Sequence, residues 1–203
     1  MPKPATRDMI IEKADTLFYE MGFEATSFSD ISASVGISRG NFYHHFKTKD
    51  DILNAVITSR IERTRAMLRH WETSTDEPRD RIISFIRILI TNRTSIMAYG
   101  CPVGTLCSEL AKLGHVSQQR AAEIFGLFQD WLTRQFRSLG SVEANDALAL
   151  HLLTWSQGVA VMATVFRDEA YIRHEVAEIE RWLDAQCAPS FNDRQEHPCS
   201  SPS

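Results

Sequence analysis

The chain predicts an all-α protein: an N-terminal three-helix domain joined by a long helix to a larger helical domain. Three observations lead there. Apolar residues recur every three or four positions in nearly every segment, the period of an amphipathic helix. The segments are separated by helix punctuation, with glycines at their ends, prolines in first turns and Ser, Thr or Asp at starts. Finally, residues 26–50, TSFSDISASVGISRGNFYHHFKTKD, read as two short helices on either side of Gly36-Ile37-Ser38, a helix-turn-helix. No strand pattern of any length and no internal repeat is found.

The elements follow in order. Thr6 is placed to cap a first helix carrying Ile10, Ile11, Ala14, Leu17, Phe18 and Met21, which Gly22 ends. Phe23 is expected to pack back on the core. Phe28, Ile31, Val35, Ile37 and Phe42 are the apolar positions that hold the small domain together, and Ser38 caps the second helix of the motif. Phe46 closes that helix. A long helix then starts at Thr48 or its neighbour, carries Ile52 through Trp71, and ends near residues 73–76. Pro78 in a first turn opens a helix with Ile82, Ile83, Phe85, Ile86, Leu89, Ile90 and Ile96, broken by Tyr99-Gly100-Cys101-Pro102. A short helix over about 103–113 ends at Gly114. Ser117 caps the next, which Gly140 stops. Helical character resumes near Val142 or Glu143, and Asp168 caps a final helix. The Pro- and Ser-rich residues 189–203 read as a disordered tail. The expected domains are therefore 1–48, 49–188 and the tail.

Composition narrows the function. A length of 203 residues suits one or two compact domains, and 43% hydrophobic residues are enough to bury a core. Net charge is −4 and the pI about 6.0, which excludes binding nucleic acid over the whole surface but leaves room for a local basic face. No continuous run of about 18 apolar residues occurs, so no membrane span is expected. The N-terminus lacks the apolar core of a secretory signal, and a cytoplasmic location is expected. Cys101, Cys107, Cys187 and Cys199 match no zinc spacing, so neither metal nor cofactor is expected, nor are structural disulfides in a reducing compartment. An enzyme is excluded: there is no nucleophile–base–orienter set, no phosphate-binding glycine loop and no metal cluster.

Within the helix-turn-helix, Arg39 and Asn41 stand at the start of the second helix, the part that faces base edges. Arg pairs bidentately with guanine and Asn with adenine. Gly40 allows close approach of the backbone. Thr26 and Ser27 offer hydroxyls and helix N-terminal amides to phosphate, and Lys49 adds a charge at the start of the long helix. Ser38 acts first as a cap and second as a DNA contact. Arg39, Lys47 and Lys49 are set against Asp30 and Asp50, so the face is only mildly positive.

Residues from about 7 to 53 resemble the N-terminal domain of the TetR/AcrR family of bacterial transcriptional regulators. The matching residues are Gly22-Phe23, Thr26-Ser27, Ile31, Ala33, Val35-Gly36-Ile37-Ser38, Gly40, Phe42-Tyr43, His45-Phe46, Lys47, Lys49 and Leu53. The helix count and lengths beyond them fit the family's C-terminal effector and dimer domain. The resemblance implies a homodimer on double-stranded operator DNA and a small-molecule effector in the second domain. It also implies release of the DNA when ligand changes the separation of the two heads, with Tyr43 and His44 at phosphates.

Residues 99–110, YGCPVGTLCSEL, resemble a Gly-Cys-hydrophobic-Gly element found in a subset of that family. Some of that subset answer to reactive electrophiles or unsaturated acids through the cysteine. Cys101 stands near a helix N-terminus, where the macrodipole favours a thiolate; the alternative is a small buried hydrophobe. Trp131 and Trp155 are candidates for an aromatic pocket wall, or plain core. Glu109, His115, His151 and Gln157 are polar residues in an apolar half and could line a pocket. Leu148, Leu152, Trp155, Val159, Met162 and Phe166, then Ile172, Val176, Ile179 and Leu183, recur at steps of four and three. These seams are expected to pair with their copies in a dimeric four-helix bundle, unless they face the monomer core. Gly158, Ala160 and Ala163 would allow close approach. The expected function is a TetR-type repressor released by an effector. The rivals are an architectural or cell-division DNA-binding factor without an effector, and a repressor that senses electrophiles or redox change through Cys101.

Overall fold

The computed structural model describes residues 5–140 and 144–187, and among these it contains ten α-helices and no strand. The expected tail at 189–203, the restart at Val142 or Glu143, Cys199 and the side chain of Cys187 lie outside the described residues. The N-terminal head consists of α1 (Thr6–Met21), α2 (Phe28–Val35) and α3 (Arg39–His45). Thr6 is not the cap of α1. Ala5 takes that position and its carbonyl accepts from Asp8 and Met9, so Thr6 is the first helical residue. Gly22 ends α1 at φ 91°, a conformation other residues rarely adopt.

Helix α4 (Lys49–Ser74) begins in a reciprocal cap: the Thr48 hydroxyl accepts from the Asp51 amide, and the Asp51 carboxylate accepts from the Thr48 amide. Its 26 residues span roughly 39 Å at 1.5 Å per residue. Helices α5 (Pro78–Thr91), α6 (Arg93–Tyr99), α7 (Pro102–Lys112), α8 (Gln118–Ser138), α9 (Asn145–Phe166) and α10 (Glu169–Cys187) complete the body. The single helix expected from Ile82 to Ile96 is two: the backbone turns at Asn92 (φ −103°, ψ 14°), which closes α5 and opens α6. Asp168 does cap α10, accepting from the Ala170 amide at 2.8 Å. Ser117 precedes α8, but its hydroxyl bonds Asn54 of α4 instead of capping.

One apolar core runs through both halves. In the head it contains Ile10, Ala14, Phe18, Phe23, Ile31, Phe42 and Phe46, which meet Ile52, Leu53 and Val56 of α4. In the body, α8 packs on α9, α7 and α4, and α10 packs on α5. Seam residues Leu148, Leu152, Val159, Ile172, Val176, Ile179 and Leu183 are all at most 5% exposed within a single chain, so they face its own core, whereas Met162 and Phe166 are exposed. Helix α9 is long and apolar enough by composition to cross a membrane, but eight of its residues are buried within the protein.

Three ties join head to body. The Arg60 guanidinium of α4 donates from Nε to Asp15 of α1 at 2.6 Å and from a terminal nitrogen to the Pro102 carbonyl at the start of α7. Glu109 of α7 accepts from the turn after α1. The Tyr19 hydroxyl of α1 donates to the Gly100 carbonyl at 2.7 Å.

Burial, reinforced by nearby Cys101, pushes the Tyr19 phenol up to about 12. In an unfolded chain a tyrosine releases its proton near pH 10, so across about pH 10 to 12 the native state holds a proton that the unfolded state has lost. Stability contributed by the neutral phenol is complete below pH 10 and is lost as pH rises toward 12. Urea midpoints measured over this range should fall more steeply for the wild type than for Tyr19→Phe; parallel curves would show that Tyr19 is not responsible.

Candidate nucleic-acid interface

The sequence between α2 and α3 folds as it does because each end is satisfied locally. The Ser27 hydroxyl accepts from the Asp30 amide at 3.0 Å, and the Asp30 carboxylate accepts from the Ser27 amide at 2.8 Å. The Ser27 hydroxyl beside the carboxylate, and then the Ser27 amide that donates to it, hold the Asp30 carboxyl below its usual range. Gly36 ends α2 in the left-handed region (φ 69°), and Ser38 caps α3 by accepting from the Asn41 amide. Phe42 is fully buried, with its ring edge-on to Phe28 at 4.8 Å. That anchor fixes which face of α3 looks outward.

The outward face carries Ser38, Gly40, Asn41, Tyr43 and His44, all exposed. Tyr43 leans on Phe28 at 5.0 Å yet leaves 48% of its surface open, so its ring direction is set while its hydroxyl stays available. A Cβ built on Gly40 would meet nothing within 4 Å, so no neighbour within the chain requires a glycine there. Arg39 opens α3; its side chain lies outside the described residues. Ser27 is exposed, and its oxygen accepts in the cap.

Two expected contacts are placed elsewhere. Thr26 is fully buried and donates to the Gly22 carbonyl at 2.7 Å and the Leu17 carbonyl at 3.3 Å, so its hydroxyl closes the turn after α1 instead of reaching phosphate. The Lys49 ammonium donates to the Phe23 and Glu24 carbonyls at 2.9 and 3.3 Å and sits 4.3 Å from the centre of the Phe23 ring. It serves the fold of the head. Lys47 is exposed, with its ammonium against the Tyr43 carbonyl at 2.5 Å. Sequence reasoning missed that Thr26 and Lys49 converge on one turn. The available signal was Gly22-Phe23 ahead of them, a tight turn with an aromatic to cover.

In the body, Cys101 stands at the N-cap of α7 and its sulfur accepts from the Gly104 amide at 3.4 Å. It borders two spaces. One is a cavity of about 100 Å³ lined by Phe85, Leu89, Ile96, Phe125 and Phe128, with Asn92, Ser156 and Gln157 as its polar groups. The other is a more open cleft of about 620 Å³ that also touches Cys107, Glu109, Lys112 and Gln157. Burial, with Cys101 beside it, pushes the Cys107 thiol up to about 11, so it stays protonated at neutral pH. Trp131 and Trp155 line neither space. Trp131 is 1% exposed and packs on Trp71 in the core, and Trp155 is half-buried on α9.

Comparison with known proteins agrees with this architecture. Residues 10–56 match the model of the bacterial regulatory proteins of the tetR family. The repressor DhaR of Mycobacterium sp. strain GP1 is 24% identical over 180 residues, covering 83% of this chain and 87% of its own. The repressor KstR2 of Mycolicibacterium smegmatis is 41% identical over 61 residues, 30% of each chain. A TetR transcriptional regulator of Legionella pneumophila superposes with a TM-score of 0.79, covering 91% of this chain and 98% of its own at 23% identity. A head that matches the family's DNA-binding model, with α3 turned outward, on a body of the same fold, leads to one conclusion: residues 10–56 form a tetR-family DNA-binding domain, and the chain is a TetR-type DNA-binding transcriptional regulator.

Proposed function

We propose that the chain is a cytoplasmic repressor that binds operator DNA as a homodimer and lets go when a small molecule occupies the body. The observation that carries this is the outer face of α3. With Phe42 locked inward, Gly40, Asn41, Tyr43 and His44 form a row that a major groove can accept. Asn41, with Arg39 beside it, reads base edges. Tyr43, His44, Ser27 and Ser38 contact phosphates, and Thr26 and Lys49 support the turn behind them.

The proposed dimer face is the side of α9 opposite the buried seam. Leu150, Val161, Val165 and Phe166 are 54–66% exposed, and Thr154 and Gly158 continue the same stripe. The small apolar cavity beside Cys101, with a few polar groups at its wall and the larger cleft next to it, supports a ligand-responsive regulator over an architectural factor. The position of the Cys101 sulfur at the border of both spaces supports a covalent variant of the same response. DNA release by a thiol-alkylating electrophile that persists in Cys101→Ser would end the covalent version.

Two further outcomes are expected. Asn41→Ala should cost about 1–3 kcal/mol of discrimination between selected and random duplexes while leaving random binding nearly unchanged. Equal loss on both, by fluorescence anisotropy, would count against base reading. Val165→Asp places a charge on the proposed dimer face and should shift sedimentation toward the monomer and lower operator affinity together. A Val165→Asp protein that stays dimeric would move the interface elsewhere.

A further inference from the structure

We propose that Glu109 is a positioning residue for DNA reading: its carboxylate clamps the turn between α1 and α2 to α7, so the body sets the orientation of the head. One carboxylate oxygen accepts from the Phe23 amide and the other from the Glu24 amide, each at 2.9 Å. Two successive amides aimed at one point form an anion-accepting concavity. Gly22 makes that approach possible, because a Cβ there would stand 3.0 Å from Glu109 Oε1 on a backbone at φ 91°. The carbonyls of the same two residues point the other way, to the Lys49 ammonium. The turn is therefore gripped from α7 by an anion and from α4 by a cation. His115 adds an edge-on contact to the Phe23 ring at 5.2 Å.

The grip leads directly to the reading helix. Four residues after Phe23 comes the Ser27 cap of α2, and Phe28 of α2 holds both Phe42 and Tyr43 of α3. In the other direction, Glu109 lines the cleft that it shares with Cys101 and Gln157. Hydrogen bonds at 2.9 Å are lost when the partners separate beyond about 3.5 Å, so a displacement of α7 by less than an ångström along these bonds is enough to open the clamp. The proposal rests on DNA binding and needs no particular effector.

Two variants test it. Glu109→Ala removes both acceptors. Glu109→Gln keeps the shape but offers one acceptor oxygen and turns an NH₂ toward the second amide. Hydrogen exchange is followed at the Phe23 and Glu24 amides. Affinity is measured, well below the lowest melting midpoint, for a duplex that the wild-type protein selects from a random-sequence library. Exchange at both amides should accelerate and affinity should fall, each by about 10-fold in Glu109→Ala and by less in Glu109→Gln, as expected for losing charge-assisted hydrogen bonds. Arg87→Ala, which breaks an exposed pair with Glu180 in the body, is the control and should change neither. Unchanged exchange in both Glu109 variants would overturn the clamp. Faster exchange with undiminished affinity would overturn its role in DNA reading. If the alanine variant does not fold, the same two readings on Glu109→Gln decide the matter.

Discussion

The arrangement of the two halves depends on one buried guanidinium. Arg60 lies in the middle of α4 with its side chain only 8% exposed, and Asp15 beside it is 14% exposed. A charge so placed must be paired, and removing one partner of a buried pair typically costs about 3–5 kcal/mol. Arg60 meets the demand from two directions, the Asp15 carboxylate of α1 and the Pro102 carbonyl at the start of α7. Asp15 also pairs with Arg63, one turn further along α4. Head, connecting helix and body therefore converge on one cation. None of the three can shift there without stranding a charge or a carbonyl.

This constraint explains why the turn after α1 is so heavily held. Helix α1 is fixed at Asp15 and again at Tyr19, so its C-terminal end arrives at a set place beside α7. The chain must then reverse into α2 within a few residues. Gly22 supplies the backbone freedom, the buried Thr26 hydroxyl satisfies the Gly22 carbonyl, and Phe23 fills the space beneath. Glu109 and Lys49 take up the amides and carbonyls that the turn leaves over. The polar residues here act in folding, while the outer face of α3, one helix away, keeps its polar groups exposed.

Much of the head was legible in the sequence, and the reason is local. Gly22, Gly36, Ser38 and Thr48 end or cap their helices through contacts within three or four residues, which a sequence displays. Phe42 as anchor and Asn41, Tyr43 and His44 as outward residues follow from the same short period. Thr26 and Lys49 were misread because their partners lie across a turn whose path no periodicity encodes. The bend at Asn92 was missed because α5 and α6 each keep helical spacing on either side of it. The seams on α9 and α10 were misassigned for a different reason. Steps of three and four say that a face is buried, and they are the same whether the covering helix comes from the same chain or from a copy.

Helix α9 shows both faces of that ambiguity. A helix apolar on all sides is normally covered on all sides. Within the chain, Leu148, Leu152 and Val159 are covered, while Leu150, Val161, Val165 and Phe166 are not. The uncovered stripe passes through Gly158, where nothing lies within 4 Å of a would-be Cβ, so a second helix could approach closely at that point. Gln157, Ala160, Val161 and Thr164 of the same stretch also form one wall of the cleft whose other walls include Cys101 and Glu109. The proposed dimer face, the cleft and the clamp on the head thus share a few turns of α9 and α7. In the proposed dimer, an occupant that pushes these walls apart would act on the separation of the two chains and on the tilt of each head in one movement, and so on the spacing at which two heads can meet an operator.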